Sequence, residues 1–404
     1  MSGLWHGIAI SAALWGTVLG SLAGGIPTER FGRKKTLLWI GLLYFVSAIG
    51  SALAPEVYSF IIARFIGGVG VGVSTVAGPM YIAEIAPPEK RGRLTGLFQF
   101  NIVLGILIAF LSNWILGGLG ESAWRWMLGV EAIPAVIYAL MCLRIPESPR
   151  WLLTGKGDRS AAKETFALSY PDANEEEIES IVRGVEEDFA KENQVKGGLP
   201  LQRLKIPILL AFLIAFFNQL SGINAVLYFA PRIFEMTGMG DQAALLQSIG
   251  IGVTNLLFTF VGLYLIDRLG RKTLLFIGSI GYIVSLGLCS WAFATENFGI
   301  VPVCIFAFIA SHAVGQGAVI WVFIAEVFPN QFRAFGQSLG CGTHWIFAAA
   351  LTLVFPLAVE RFEPENLFGF FAFMMVLQLI WVFVMVPETK GVSLEDMAKK
   401  LGIS

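Results

Sequence analysis

Charged residues are scarce in this chain of 404 residues, at 14% against 56% hydrophobic residues, and the net charge is only −1. A soluble domain of this length could not hide so much apolar surface, so lipid must cover much of it. The small net charge gives no electrostatic reason to expect a nucleic-acid partner. The composition therefore excludes a soluble domain and indicates a membrane protein.

Residues that hold metals or act as nucleophiles are equally few. The four cysteines all lie inside apolar runs without CxxC spacing, and the three histidines form no HExxH motif. The GxxxxGK[ST] loop that binds ATP is absent as well. The sequence thus predicts no disulfide framework, metal site or cofactor. It also argues against an enzyme and against an ATP-driven pump.

Eleven long apolar runs are present, each near the length of about 20 residues that a helix needs to cross the hydrocarbon core. They lie at about 4–26, 36–54, 59–83, 95–117, 124–144, 206–236, 243–266, 273–294, 301–325, 335–358 and 367–386. Gly222 and Pro231 fall inside the run at 206–236, and we expect the helix to break there.

Basic residues follow the runs that end near residues 26, 83 and 266, and the positive-inside rule makes those connections cytoplasmic. The charge-rich stretch that follows the fifth run lies on the same side and is expected to form short amphipathic helices. The predicted order is an N-terminal transmembrane bundle at 1–149, a cytoplasmic helical linker at 150–204, a C-terminal bundle at 205–390 and a cytoplasmic tail at 391–404.

Three charged phrases of the first half return in the second half. Glu29-Arg30-Phe31-Gly32-Arg33-Lys34 returns as Asp267-Arg268-Leu269-Gly270-Arg271-Lys272, Ala83-Glu84 as Ala325-Glu326, and Pro146-Glu147-Ser148 as Pro387-Glu388-Thr389. Such duplication is typical of secondary transporters, whose substrate site lies between the repeats. The first half has one run fewer, so we expect a helix missing before Met1 through a misassigned start or a truncation; a genuine eleven-helix variant is the alternative.

In this order, the phrases resemble the sugar porter family of the major facilitator superfamily. Further matching motifs are Pro79-Met80-Tyr81-Ile82-Ala83-Glu84, Arg91-Gly92-Arg93, Trp124-Arg125-Trp126 and Asn218-Gln219-Leu220-Ser221-Gly222-Ile223-Asn224. The resemblance implies an all-α fold of two pseudo-symmetric helical bundles in the inner (cytoplasmic) cell membrane. It implies a monomer that moves a monosaccharide (hexose, pentose or polyol) by alternating access, coupled to protons. A sugar uniporter and a non-transporting sugar sensor are the alternatives.

The resemblance also implies a set of sugar-binding residues. By motif position these are Gln99, Asn218, Gln219, Asn224, Tyr228, Asn255, Gly317, Trp321, His344 and Trp345. A physical argument supports Gln219, Asn224 and Tyr228, because an unpaired amide or hydroxyl in an apolar run costs about 2–7 kcal/mol and sugar hydroxyls could pair with it. The alternative is that these groups bond neighbouring helices.

Three positions depart from the family's usual pattern. Asn218 stands where a glutamine usually does, Ala318 stands where a proline is expected, and His344 stands where an amide is common. These departures leave the identity of the sugar open.

Two charged residues fall inside apolar runs at a similar distance from the outer side, Arg64 and Glu131. Charges within a membrane are costly and usually pair or mark a pathway. We therefore expect an ion pair that takes part in proton coupling; a pair that serves only folding is the alternative. Proton-coupled relatives place a carboxylate on the first helix, which we expect to be missing here.

The repeated charges at the cytoplasmic ends are expected to form a gate that clasps these ends together when the cavity opens outward. The set is Glu29, Arg33, Glu84, Arg91, Glu147, Asp267, Arg271, Glu326, Arg333 and Glu388. Because an exposed pair contributes only about 0–1 kcal/mol, a network is needed. The alternative is that some of these charges only set the topology.

Overall fold

The computed structural model of the chain describes residues 3–194, 202–329, 332–392 and 394–403. The side chains of residues 88–93, 95–96, 98, 188, 191–194, 333–334 and 394–395 also lie outside this description. Within the described residues the regular structure is helical and contains no strand. The prediction of an all-α protein is confirmed.

The helices follow one another with short connections. In chain order they are α1 (Gly3–Ala23), α2 (Gly25–Phe31), α3 (Arg33–Leu53), α4 (Val57–Ile85), α5 (Pro88–Leu116), α6 (Ala123–Gly129), α7 (Ala132–Arg144), α8 (Pro149–Trp151), α9 (Arg159–Ser169), α10 (Glu175–Gln194), α11 (Lys205–Leu220), α12 (Ile223–Tyr228), α13 (Ala230–Glu235), α14 (Asp241–Leu269), α15 (Arg271–Ala294), α16 (Val301–His312), α17 (Ala318–Val327), α18 (Arg333–Arg361), α19 (Pro364–Val384) and α20 (Leu394–Lys400). Two π-helical segments, Leu152–Lys156 and Ala313–Gly317, and a 3₁₀ turn, Phe298–Ile300, complete the described structure.

Eleven helical segments of the described chain are long and apolar enough to cross a membrane. Three of them combine consecutive elements: α6 with α7, α11 with α12, and α16 with α17 through the intervening π-helical segment. They coincide with the eleven apolar runs, so the predicted number of spans is confirmed for the described residues. The protein is a multi-pass membrane protein.

The helix at the start of the second half breaks where the sequence predicts. α11 ends at Leu220 and α12 begins at Ile223, with Gly222 between them at φ 85°. A Cβ at Gly222 would lie 2.8 Å from the Phe371 ring, so both the backbone conformation and the space require glycine. A second interruption at Phe229 precedes Pro231, which the first turn of α13 accommodates.

The chain divides into two compact units. We call Met1–Leu14, Phe100–Met127 and Leu201–Ser404 the C unit, and Trp15–Gln99 and Leu128–Pro200 the N unit. The boundaries at residues 149 and 205 stay a prediction.

Close helix packing within each unit relies on glycine. In the N unit, a Cβ at Gly16 would lie 2.2 Å from the Phe65 carbonyl oxygen, so α1 and α4 pack backbone to backbone. In the C unit, a Cβ at Gly278 would lie 2.9 Å from the Cα of Gly315, which brings α15 against the π-helical segment.

Candidate functional site

A cluster of amide side chains lies at the broken end of α11, in the C unit. Gln219 is fully buried, and its Nε2 donates a hydrogen bond to Asn218 Oδ1 at 3.0 Å. Asn224, just past the break, donates from Nδ2 to Gln219 Oε1 at 2.8 Å. The break at Gly222 lets Asn224 on α12 reach Gln219 on α11, so two residues only five positions apart form the centre of the cluster.

His344 on α18 completes this cluster. Its Nδ1 and Nε2 atoms lie 3.1 Å and 3.2 Å from Gln219 Nε2. The imidazole lies against two indoles, with ring centroids 5.1 Å from Trp321 and 4.9 Å from Trp345. We call Asn218, Gln219, Asn224, His344, Trp321 and Trp345 the amide site. Hydrogen-bonding edges and flat aromatic faces are thereby brought together.

The remaining predicted sugar residues lie on other elements. Tyr228 ends α12 and is 42% exposed, whereas Asn255 on α14 is buried. Gly317 ends the π-helical segment, where a Cβ would come within 3.1 Å of the His312 carbonyl oxygen. Gln99 lies on α5, in the N unit. A contact role for these four residues stays a prediction.

A second set of buried, hydrogen-bonded polar side chains was not predicted from the sequence. Gln316 Nε2 donates to Gln378 Oε1 at 2.9 Å, and Gln378 Nε2 donates to Ser279 Oγ at 2.8 Å, all three side chains being fully buried. The Tyr282 hydroxyl lies 2.6 Å from His312 Nδ1. These residues give the same signal as Gln219, a polar side chain inside an apolar run. The hydrogen bonds from Gln316 to Gln378 and from Gln378 to Ser279 are an example of the alternative, in which such groups bond neighbouring helices.

Arg64 and Glu131 are brought together in the N unit, with Nη1 and Oε2 3.6 Å apart. Glu131 lies in the interruption between α6 and α7, which the sequence analysis did not predict. Its side chain is 51% exposed and that of Arg64 is 22% exposed. The expected pairing is present, and its role in proton coupling stays a prediction.

Three of the repeated charges of the first half, together with Ser148, form one cluster in the N unit, which we call the Arg33 cluster (Arg33, Glu84, Glu147 and Ser148). Arg33 Nη2 lies 2.6 Å from Glu84 Oε1. Glu147 Oε1 accepts hydrogen bonds from the backbone N–H groups of Arg33, Lys34 and Ser148, at 2.9, 3.1 and 2.8 Å. Ser148 Oγ donates to Glu84 Oε2 at 2.5 Å. Glu147 therefore neutralises the N-terminal end of α3.

The second half builds an equivalent cluster in the C unit, the Arg271 cluster (Asp267, Arg271, Glu326, Glu388 and Thr389). Arg271 donates from Nε and Nη2 to the two oxygens of Glu326, at 3.0 and 2.8 Å, and from Nη1 to Asp267 Oδ1 at 3.0 Å. Glu388 accepts from the first two backbone N–H groups of α15. Thr389 donates to Glu326 at 2.6 Å, as Ser148 does to Glu84.

The two carboxylates that cap α3 and α15, those of Glu147 and Glu388, each need a glycine beside them. Gly32 and Gly270 precede α3 and α15 with φ of 92° and 91°. A Cβ there would lie 2.3 Å from Glu147 Oε2 and 2.4 Å from Glu388 Oε2. The glycines in the repeated phrases therefore serve two purposes: they adopt a left-handed φ and leave room for the capping carboxylate.

The predicted gate residues are thus accounted for in part. Glu29 contributes its backbone oxygen, which accepts from Trp151 Nε1 at 2.6 Å. The side chains of Arg91 and Arg333 lie outside the described residues. Ser148 and Thr389 are members that the sequence analysis missed. The role of both clusters in gating stays a prediction.

Comparison with known proteins gives a consistent result. The chain matches the family model described as "Sugar (and other) transporter" over residues 2–401. It is 35% identical to the arabinose-proton symporter of Bacillus subtilis over 411 residues, covering 99% of this chain and 87% of that protein. It is 32% identical to the D-xylose-proton symporter of Escherichia coli over 423 residues, covering 97% and 85%. Its structure is similar to an inward-open structure of the xylose transporter XylE from E. coli, with a TM-score of 0.86, 29% identity, and coverage of 98% and 89%.

The fold and these matches define the class, a multi-pass membrane transporter of the major facilitator superfamily and not an enzyme. Within that class, the chain belongs to the sugar transporter family, as its repeated phrases predict.

Proposed function

We propose that this protein carries a monosaccharide across the inner membrane by alternating access, in symport with protons. The observation that supports this most strongly is the amide site, where Asn224, Gln219 and His344 form a continuous hydrogen-bonded chain within apolar helices. Buried amides of this kind are costly unless they are paired. A sugar offers hydroxyl groups that both donate and accept, and so matches such a site.

The aromatic neighbours favour a ring-shaped ligand. Trp321 and Trp345 place two indoles beside His344. Trp345 Nε1 is buried with no hydrogen-bond partner among the described residues, which leaves a donor available for a ligand hydroxyl. The C–H face of a pyranose can lie against an indole while its hydroxyls meet the amides. Drugs and organic anions would not need this amide-rich surface.

The relatives favour a pentose or a hexose. Similar proteins are named for arabinose, xylose and glucose. One of the similar solved structures is a proton:xylose symporter bound to 6-bromo-6-deoxy-D-glucose. We propose a monosaccharide of this size as the substrate, and we propose Gln219 and Asn224 as its main hydrogen-bonding partners.

Competition binding with a sugar panel tests the substrate class. Purified protein is titrated with D-xylose, L-arabinose, D-glucose and a polyol, and Gln219→Leu is compared with Gln242→Leu, an exposed amide at the start of α14. Gln219→Leu should weaken binding at least about tenfold, because it removes several hydrogen bonds, whereas Gln242→Leu should bind normally. Equal affinity in both variants would contradict the assignment.

Proton coupling is proposed on the Arg64–Glu131 pair, because protonation of the carboxylate would release the guanidinium. Sugar added to proteoliposomes should raise the external pH as protons enter with it. Glu131→Gln should abolish this alkalinisation but keep downhill sugar exchange. Sugar uptake by the wild type without any pH change would instead identify a uniporter.

A further inference from the structure

The hydrogen bonds of the amide site run in one direction. Asn224 donates to Gln219 Oε1, so Gln219 turns its Nε2 towards Asn218 Oδ1 and towards the imidazole of His344. An amide nitrogen only donates, and His344 must therefore accept. Both of its ring nitrogens lie within 3.2 Å of the same Gln219 Nε2 atom.

This geometry distinguishes the two protonation states of His344. A neutral imidazole has one unprotonated nitrogen in either tautomer, so one acceptor lies near Gln219 Nε2 in both cases, while the other ring nitrogen carries a proton and forms no hydrogen bond with it. An imidazolium has none, because both nitrogens then carry protons. Protonation would remove the one acceptor and leave only N–H groups facing the N–H₂ of Gln219.

Reversing the hydrogen bonds of the amide site would relieve this conflict. If Gln219 turned its oxygen towards a protonated His344, its nitrogen would face Asn224 Nδ2 and its oxygen would face Asn218 Oδ1. Both asparagine amides would then have to reverse as well. The part-exposed Asn224 would exchange the acceptor and donor that it offers to a ligand.

The side chains that contact His344 among the described residues are uncharged. They are Gln219 on α11 and Trp321 on α17, with Trp345 as its neighbour on α18. The titratable group that interacts with it electrostatically is His312 at the end of α16, which is itself hydrogen-bonded to Tyr282.

We infer that His344 is a positioning residue: in its neutral form it fixes the orientation of Gln219, and its protonation reverses the donor and acceptor pattern of the sugar site. Sugar affinity then depends on pH through His344, separately from any coupling through Glu131. This inference rests on the proposed sugar-binding function.

The first experiment measures the affinity for D-xylose and D-glucose from about pH 8 down to the lowest pH at which the protein stays folded. It is done in a Glu131→Gln background, with and without His344→Gln. Affinity should fall about five- to tenfold towards acid pH when His344 is present, the loss of about one hydrogen bond, and should stay constant with His344→Gln. An equal fall in both proteins would overturn the inference.

The second experiment needs no sugar. With only three histidines in the chain, ¹⁵N-histidine NMR resolves His344, which is assigned by its loss in His344→Gln. Gln219→Leu removes the donor that favours the neutral ring, so His344 should protonate at a higher pH, with an equilibrium shifted about fivefold. An unchanged titration would overturn the inference. If this shift is found while no sugar binds at any pH, the hydrogen-bond account stands and the proposed function fails.

Discussion

The Arg33 and Arg271 clusters arise from the same repeated phrases but hold their arginines differently. Arg33 reaches Glu84 through one nitrogen, and both side chains are less than 10% exposed. Its Nε atom is buried without a hydrogen-bond partner among the described residues. Arg271 instead binds Glu326 through two nitrogens and also reaches Asp267. Glu326 is 26% exposed, so its carboxylate is more accessible to solvent than that of Glu84.

The comparison shows that a shared motif does not imply shared energetics. The first half has a drier ion pair that depends on a single carboxylate. The second half has two carboxylates for one arginine, so the loss of one leaves the other. Removing one partner of a buried pair leaves an uncompensated charge, and this costs more than the pair itself contributes.

The largest difference is expected between Glu84→Ala and Glu326→Ala. Glu84→Ala leaves Arg33 buried without its carboxylate and should cost about 3–5 kcal/mol. Glu326→Ala should cost clearly less, because Asp267 still neutralises Arg271. Thermal unfolding midpoints in detergent measure the order, and equal losses would contradict it.

The same two variants test the predicted gate. If the clusters help to close the cytoplasmic side, both substitutions should increase labelling of single-cysteine probes placed on that side. Labelling that stays at the wild-type level would show that the clusters stabilise the fold without affecting the conformational equilibrium.

A substitution common to both clusters should remove the difference between them. Gly32→Ala and Gly270→Ala place a Cβ against the capping carboxylate and put alanine in a backbone conformation that essentially only glycine adopts, which alone costs about 1–3 kcal/mol. The two losses should be similar, because the geometry is nearly identical. Gly120→Ala, with φ 81° and open space around it, is the matched control and should lose less. A loss at Gly120 as large as at Gly32 would refute the steric part of the argument.

Because Arg271 has two carboxylate partners, we expect Asp267→Asn and Glu326→Ala to lower stability by amounts that are not additive. Asp267→Asn alone should change stability little, since Asp267 is 80% exposed. In the Glu326→Ala background it should cost about 1–2 kcal/mol more than it does alone, because it then removes the last carboxylate. A double-mutant cycle of unfolding midpoints measures this coupling. Strict additivity would show that Asp267 does not share the role.

The smallest effect concerns an exposed ion pair between α9 and α10, which Phe166, Ile178 and Val182 hold together. Hydrogen bonding from Lys163, aided by Arg159, holds the pKa of Glu179 below its usual range. Its contribution to stability is therefore full above the usual carboxyl pKa and is lost as the pH falls through the lowered value. Hydrogen exchange of α9 and α10, corrected for intrinsic rates, should rise slightly at acid pH in the wild type and less in Lys163→Gln.

Much of the fold follows from the sequence because membrane helices are long, apolar and self-contained. The break at Gly222 was predictable, since glycine and a nearby proline mark it. The break before α7 was missed although Gly129 and Pro134 flank it, and a proline fits best in a helix's first turn. The pattern of the run continues through Glu131 and hides this interruption.

The site was predictable only where one segment contains its partners. Gln219 and Asn224 are five residues apart and meet across a break, so the motif brings them together. Gln316 and Gln378 meet only because of how α19 packs against the π-helical segment, which no local pattern specifies. The unequal partners of Arg33 and Arg271 depend on side-chain reach, which is likewise set by tertiary packing.

The most direct test of the account is counterflow in proteoliposomes loaded with D-xylose, L-arabinose or D-glucose, comparing the wild type with Gln219→Leu and Gln242→Leu. We predict exchange of at least one labelled sugar by the wild type and by Gln242→Leu, and none by Gln219→Leu. Absence of exchange with every sugar, or full exchange by Gln219→Leu, would contradict it.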